Sequence, residues 1–327
     1  MNRSSAASEP TNHLPVLCEE AIDHLNIRDG GCYVDGTFGA GGYSINILTR
    51  AKCRLFAIDR DPAAIVVANK LSTRYGQSFV AIQGCFGSMD SLLSGHGVEQ
   101  VDAVVLDLGI SSNQLDDPVR GFSFRFDGPL DMRMGQNGVT AAEVVNSLSE
   151  SDLADVIYSL GEEKLSRQVS RAIATARSKC PIHSTSKLAD IVRGVVPRDH
   201  RRGGSDPATK TFQALRIYIN DELNELDRGL EAAERLLVPG GRLVVVAFHS
   251  LEDRRVKNFF KQRQAVELGR SRHLPPTTHE EKEPSFKIIT KRPLRPGISE
   301  TTINPRARSA RLRVAERTAA PPWTEIN

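Results

Sequence analysis

Between Cys32 and Gly109 the chain alternates short β-branched runs with amphipathic stretches about ten residues long, a pattern that few architectures accept. "CYVDGTF", "RLFAIDR", "SFVAIQG" and "VDAVVLDLG" read as strands. "SINILTRA", "PAAIVVANKL", opened by Pro62, and "SMDSLLSGH" read as the helices between them. Strands with so few polar positions belong in a parallel sheet covered on both faces. The expected class is α/β, a doubly wound, mostly parallel sheet. In such sheets ligands sit beyond the carboxyl ends of the strands, where the strand order reverses.

The pattern breaks after the fourth strand. "QLDDPVRGFSFRFDGPLDMRMG" is rich in Gly, Pro, Asp and Phe with no period and reads as an ordered loop. Helical segments follow: "SESDLADVIYSLG" with Ser149 or Ser151 as cap, "EKLSRQVSRAIATARS", and "STSKLADIVRGVV", which stops before Pro197. These predict a helical insertion over 119–209 in a core made of 1–118 and 210–327. The core resumes with one long amphipathic helix over Thr211–Leu237, a turn "VPGG" and a buried strand "RLVVVAF". Next comes a helix whose Ser250 and Asp253 are spaced as a capping box. A Pro- and Lys/Arg-rich loop precedes "ARLRVAER", whose alternation predicts an antiparallel closing strand at a half-exposed edge.

The polar start "MNRSSAASEPTN" has no apolar core of a signal peptide, and "LVVVAF" is too short to span a bilayer, so a cytoplasmic location is expected with no membrane partner. Five scattered cysteines, Cys18, Cys32, Cys53, Cys85 and Cys180, have neither disulfide nor zinc spacing, so reduced thiols and no metal are expected. Net charge is +3, but nine Lys and Arg stand against two Glu between Phe286 and Arg317, and "RDHRRGG" at Arg198–Gly204 is a second basic knot. Such clusters fit either a solvated face or a polyanion site.

"YVDGTFGAGGYS", Tyr33 to Ser44, places Asp35 just before a glycine-rich turn, and Asp59 ends the second strand. A dinucleotide loop needs G-x-G-x-x-G with an acid about twenty residues on. Gly39 and Gly41 fit, but Ser44 stands at the third glycine. S-adenosylmethionine presents the same ribose hydroxyls to an acid and leaves no pyrophosphate to seat, and "DGTFGAG" fits a D-x-x-x-G-x-G loop without substitution. "LLVPGGRLVVV" also looks like the approach to the fifth strand of such methyltransferases. On residues alone both cofactors stay open, as does a glycine turn kept only for close packing.

"LDLGISSNQLDDPVRGFSFRFDGPLDMRM" closely resembles the bacterial family of small-subunit ribosomal RNA cytosine-N4 methyltransferases of the RsmH or MraW type. "HLPVLCEEAID", "VDGTFGAGGYS", "AIDRDPAAI", "DPATKTFQALRIYINDEL", "FHSLEDR" and "NPRARSARLRVAER" follow the same family in order, over about residues 13 to 317. The resemblance implies a Rossmann-like class I methyltransferase with an inserted helical domain for substrate recognition. It implies S-adenosylmethionine as donor, a cytidine amine in the decoding region of 16S ribosomal RNA of the small subunit as acceptor, and a homodimer. Its cofactor contacts map to Gly41, Gly42, Tyr43, Asp59, Phe86, Asp107 and Gln114. Tyr43 stands where the family usually has His, and "DPATK" replaces His-Pro-Ala-Thr-Arg, so Lys210 keeps a charge but loses a bidentate fork. A nicotinamide oxidoreductase would need a second nucleotide-binding half, and a non-catalytic assembly protein would not need Asp59 with an intact loop.

A cytosine N4 lone pair is delocalised into the ring, so an acceptor on its hydrogen assists attack. Many amino-methyltransferases place an Asp/Asn-Pro-Pro-aromatic motif after the fourth strand; "DLGIS" stands here, leaving Asp107 as the expected catalytic acceptor. Phe122, Phe124 and Phe126, interleaved with Arg125, offer either a stacking platform for a flipped base or packing for the insertion. His249 is expected to be structural.

Overall fold

The computed structural model describes residues 15–198, 206–264 and 282–323. The basic knot after Arg198 lies outside the described residues. Seven strands, β1 (Cys32–Asp35), β2 (Arg54–Asp59), β3 (Phe79–Gln83), β4 (Val101–Asp107), β5 (Leu237–Ala247), β6 (Phe286–Ile288) and β7 (Arg311–Arg317), form one sheet of order β3-β2-β1-β4-β5-β7-β6. Only β7 runs antiparallel to both its neighbours. The order reverses between β1 and β4, whose carboxyl ends therefore open a crevice.

Successive residues of each strand feed opposite faces. Val34, Phe56, Ile58 and Val104 face α4 (Met89–Ser94), α11 (Glu222–Leu236) and α12 (Ser250–Arg263) in one apolar cluster. Tyr33, Leu55, Ala57 and Val105 face α1 (Cys18–His24), α2 (Gly42–Arg50) and α3 (Pro62–Tyr75) in the other. The doubly wound α/β class expected from the sequence is the observed one.

A short α5 (Ser112–Asp116) leads away from β4 into a third apolar cluster. It is built by α6 (Ala141–Ser147), α7 (Glu150–Gly161), α8 (Ser166–Arg177), α9 (Thr185–Arg193) and the start of α10 (Thr209–Asn220), with Met132, Ile157, Ile173, Leu188 and Phe212 at its centre. Ser149 caps α7.

Four expectations need correction. The long helix over Thr211–Leu237 is two, because Asp221 adopts a left-handed conformation (φ 52°) between α10 and α11. Asn220 fixes the break: its amide donates to Met132 O and accepts from the Met134 N–H, both at 2.8 Å. The closing strand β7 is not an edge, since the three-residue β6, too short to show alternation, pairs outside it. The turn "VPGG" lies inside β5, where an irregular register between Val101 and Ala103 accommodates it. The cap of α12 is His249 with Glu252, not Ser250 with Asp253. Ser250 instead donates to Glu162, and Asp253 receives Arg311 and Arg313.

Candidate active site

A cavity lies over the switch point, walled by the loop after β1, Asp59, Gly84 to Phe86, and Asp107 to Ser112. Backbone bonds make its floor rigid: Gly36 N–H donates to Val105 O and Phe38 N–H to Ile58 O, both at 3.0 Å. Gly39 takes a positive φ (+55°), which lets its N–H donate to Asp59 Oδ2 at 2.7 Å. Asp59 Oδ1 accepts from the Asp61 N–H at 2.8 Å. Both oxygens are thus held by one backbone donor each and keep a lone pair for a ligand. Burial raises the Asp59 carboxyl above its ordinary range.

Two more carboxylates converge on the floor. Asp35 is 1% exposed, accepts from Ser44 Oγ at 2.7 Å and from the Thr37 N–H at 3.2 Å, and is pushed up to about 6, mainly by desolvation. Asp107 donates its backbone N–H to Thr37 Oγ1 at 2.6 Å, while its Oδ1 is buried with no hydrogen-bond partner among the described residues. Burial first, then Asp35 and Glu252, hold its carboxyl well above the usual range. An orphaned acceptor beside a cavity is a group waiting for a donor.

Of the seven residues expected to touch a cofactor, Gly42, Tyr43, Asp59, Phe86, Asp107 and Gln114 line this cavity. Gly41 is outside the wall, with Phe38 covering its α-carbon so that a Cβ would come within 2.8 Å of the ring. Tyr43 is buried, and its hydroxyl donates to Val16 O, which fastens the N-terminal segment over the opening. Gln114 accepts from the N–H of Ser111, the cap of α5, and donates to Asp61 Oδ2 at 2.7 Å, where Arg120 also donates at 2.7 Å. Arg120 in turn donates to the carbonyls of Arg133 and Met134, tying the cavity wall to the helical cluster. The Phe86 ring lies across Gly229, where a Cβ would come within 2.4 Å of it.

The aromatic triplet divides. Phe122 is buried, Phe124 packs edge-on against Phe212 with centroids 4.8 Å apart, and Phe126 is 67% exposed. Two of the three therefore pack within the helical cluster. Lys210 donates to Glu162 O at 3.0 Å and Asp206 pairs with Arg193.

Glu222, His249 and Glu252 bring donor atoms within 4.8 Å of one another. Arg216 takes both oxygens of Glu222 at 2.8 Å. His249 Nδ1 accepts from the Glu252 N–H at 3.4 Å, and its Nε2 lies 3.1 Å from Glu252 Oε1. Glu252 accepts from the N–H groups of Phe248 and His249 and is held below the usual range by His249 and Arg216 despite burial. Sequence reading missed Asp61, Arg120 and Glu252. Only Asp61 left a signal, as an acid immediately before a helix-opening proline.

The cavity suits the group the loop and Asp59 imply: two oxygens for ribose hydroxyls, an aromatic edge at Phe86 for a base, and a lone carboxylate oxygen at the far side. The sequence matches the MraW methylase family over residues 10–318. It is similar to proteins described as ribosomal RNA small subunit methyltransferase H. That of Rhodospirillum centenum is 55% identical, over 97% of this chain and 95% of the relative. That of Rhodospirillum rubrum is 54% identical over 96% and 97%, and that of Paramagnetospirillum magneticum 53% over 97% and 99%.

Proposed function

The chain belongs to the MraW methylase family and is an S-adenosylmethionine-dependent methyltransferase of 16S ribosomal RNA, and we propose that it modifies the N4 amine of a cytidine in the decoding region of the small subunit. The orphaned Oδ1 of Asp107 on the cavity floor is the observation that carries the choice of an amine. S-adenosylmethionine, when bound, supplies an electrophilic methyl on a sulfonium.

The chain's own groups do the rest. Asp59 takes ribose hydroxyls, Phe86 lies along the base, and Gly42, Tyr43 and Gln114 complete the wall. Asp107 accepts a hydrogen bond from the cytosine amine, which draws the nitrogen lone pair out of ring conjugation. The same oxygen takes the proton that nitrogen must shed once methylated. Burial, with Asp35 and Glu252, raises its carboxyl, so once ionised it is a stronger base than an ordinary aspartate. The rigid floor contributes by orientation, since Thr37 fixes the Asp107 backbone and Asp35 fixes Thr37.

The helices over 119–209 form the substrate-recognition insertion, and 1–118 with 210–327 the methyltransferase core. The protein works in the cytoplasm, where its substrate is; no described helix is long and apolar enough to cross a membrane. A homodimer is the oligomeric form this reading carries.

Small subunits from a strain lacking the gene, incubated with methyl-labelled S-adenosylmethionine and digested to nucleosides, test this. Label in N4-methylcytidine is the expected result. Label in any other nucleoside removes the cytidine N4 assignment.

A further inference from the structure

Residues 291 to 308 hold a dense group of uncommitted cations. Lys291, Arg292, Arg295 and Arg308 are all exposed, and none has an ion pair among the described residues. Between them lies α13 (Ile298–Ile303), whose two isoleucines are 87% and 86% exposed, the most exposed large apolar side chains described. Solvating two branched residues on a six-residue helix costs free energy without a folding return.

Two tethers set this segment at the cavity mouth. Glu300 Oε1 accepts from the Leu17 N–H at 2.7 Å, next to Pro15 and Val16 of the cavity wall. Arg306 donates to Ser112 at 3.1 Å, itself a wall residue, and pairs with Asp116 of α5 at 2.5 Å. The strand that follows has the matching direction: Arg311 pairs with Ala247, so the chain enters β7 from the edge where β4 and β5 deliver the site.

Resting on the ribosomal RNA reading, we propose that α13 and its flanking cations are the RNA docking face. Lys291, Arg292, Arg295 and Arg308 hold phosphates, and Ile298 and Ile303 enter between bases beside the target. A buried cytidine cannot reach Asp107 unless it leaves its stack. An apolar wedge that fills the gap lowers the cost of that step. The positive charge favours nucleic acid over a second copy of this basic chain, whose like-charged face would be repelled.

The test uses the full chain, because all the side chains changed are exposed and none supports the core. Small-subunit binding by cosedimentation and kcat/KM are compared for wild type, R295Q/R308Q and I298S/I303S over a range of salt. The Arg pair is expected to lower affinity roughly tenfold and to flatten the log–log salt dependence by about 1 to 2. The Ile pair is expected to lower kcat/KM roughly tenfold with the salt slope unchanged. S-adenosylmethionine affinity stays at the wild-type value in both. Unchanged binding and turnover in both variants overturn the proposal. So does a shift from dimer to monomer in I298S/I303S, which would make α13 a contact between copies. Cosedimentation does not depend on which nucleoside is methylated, so a product other than N4-methylcytidine strikes the proposed reaction and leaves the docking face upheld by weakened binding.

Discussion

Asp35→Asn isolates the electrostatic cost stored under the site. The Asp35 carboxyl lies at about 6 in the folded chain against an ordinary 3.8, chiefly through desolvation. A rise of about two units corresponds to roughly 3 kcal/mol. Because the folded chain holds this proton more tightly, the stabilising contribution is complete below the unfolded value and is lost as pH rises through about 6. Asn does not titrate and keeps an acceptor for the Thr37 N–H, while the Ser44 hydroxyl can turn to accept from its amide. Urea unfolding of both proteins at about pH 4 and about pH 7.5 gives the difference, in which the titrations not coupled to Asp35 cancel. The stability of Asp35→Asn relative to wild type should improve by roughly 2 to 2.5 kcal/mol from the lower to the higher pH, since at about pH 4 the unfolded carboxyl is already half ionised. A difference that stays constant within about 0.5 kcal/mol would show that Asp35 is not strained by burial.

Three further outcomes follow from the same geometry. Asp35→Asn also removes a like charge from Asp107, so the acid limb of its kcat profile should move to lower pH than in wild type. Gly229→Ala puts a methyl where the Phe86 ring lies, and calorimetry should show weakened S-adenosylmethionine binding with roughly 1–3 kcal/mol lost from stability. Arg120→Ala leaves the buried Asp61 carboxylate with Gln114 and the Ala63 N–H as its donors among the described residues and should cost roughly 2–4 kcal/mol in urea unfolding.

What could be read ahead of the structure follows from how far each signal travels along the chain. Four strands and their helices announce themselves within 32–110 because a two-sided parallel strand is apolar at nearly every position. Asp59 and Asp107, each the last residue of its strand, could be placed beside the cavity from the sequence because a strand's carboxyl end faces the switch point. The break at Asp221 was not, because the deciding bonds run from Asn220 to Met132 and Met134, more than eighty residues away. Arg120 on Asp61, 59 residues apart, was hidden in the same way, and Arg216 reaches Glu222 beside the cavity across the break at Asp221, which the sequence did not show. His249 was legible as structural, but its capping role depends on Glu252 reaching back to the cap backbone. The strand β6 has three residues, too few for any period to register.

We propose that the cavity at the switch point holds S-adenosylmethionine through Asp59. Isothermal titration of S-adenosylmethionine into wild type and Asp59→Ala measures it. Losing a pinned carboxylate that would bond both ribose hydroxyls should weaken binding roughly 100-fold. Equal affinity in the two proteins, or a wild type that does not bind at all, would contradict the account.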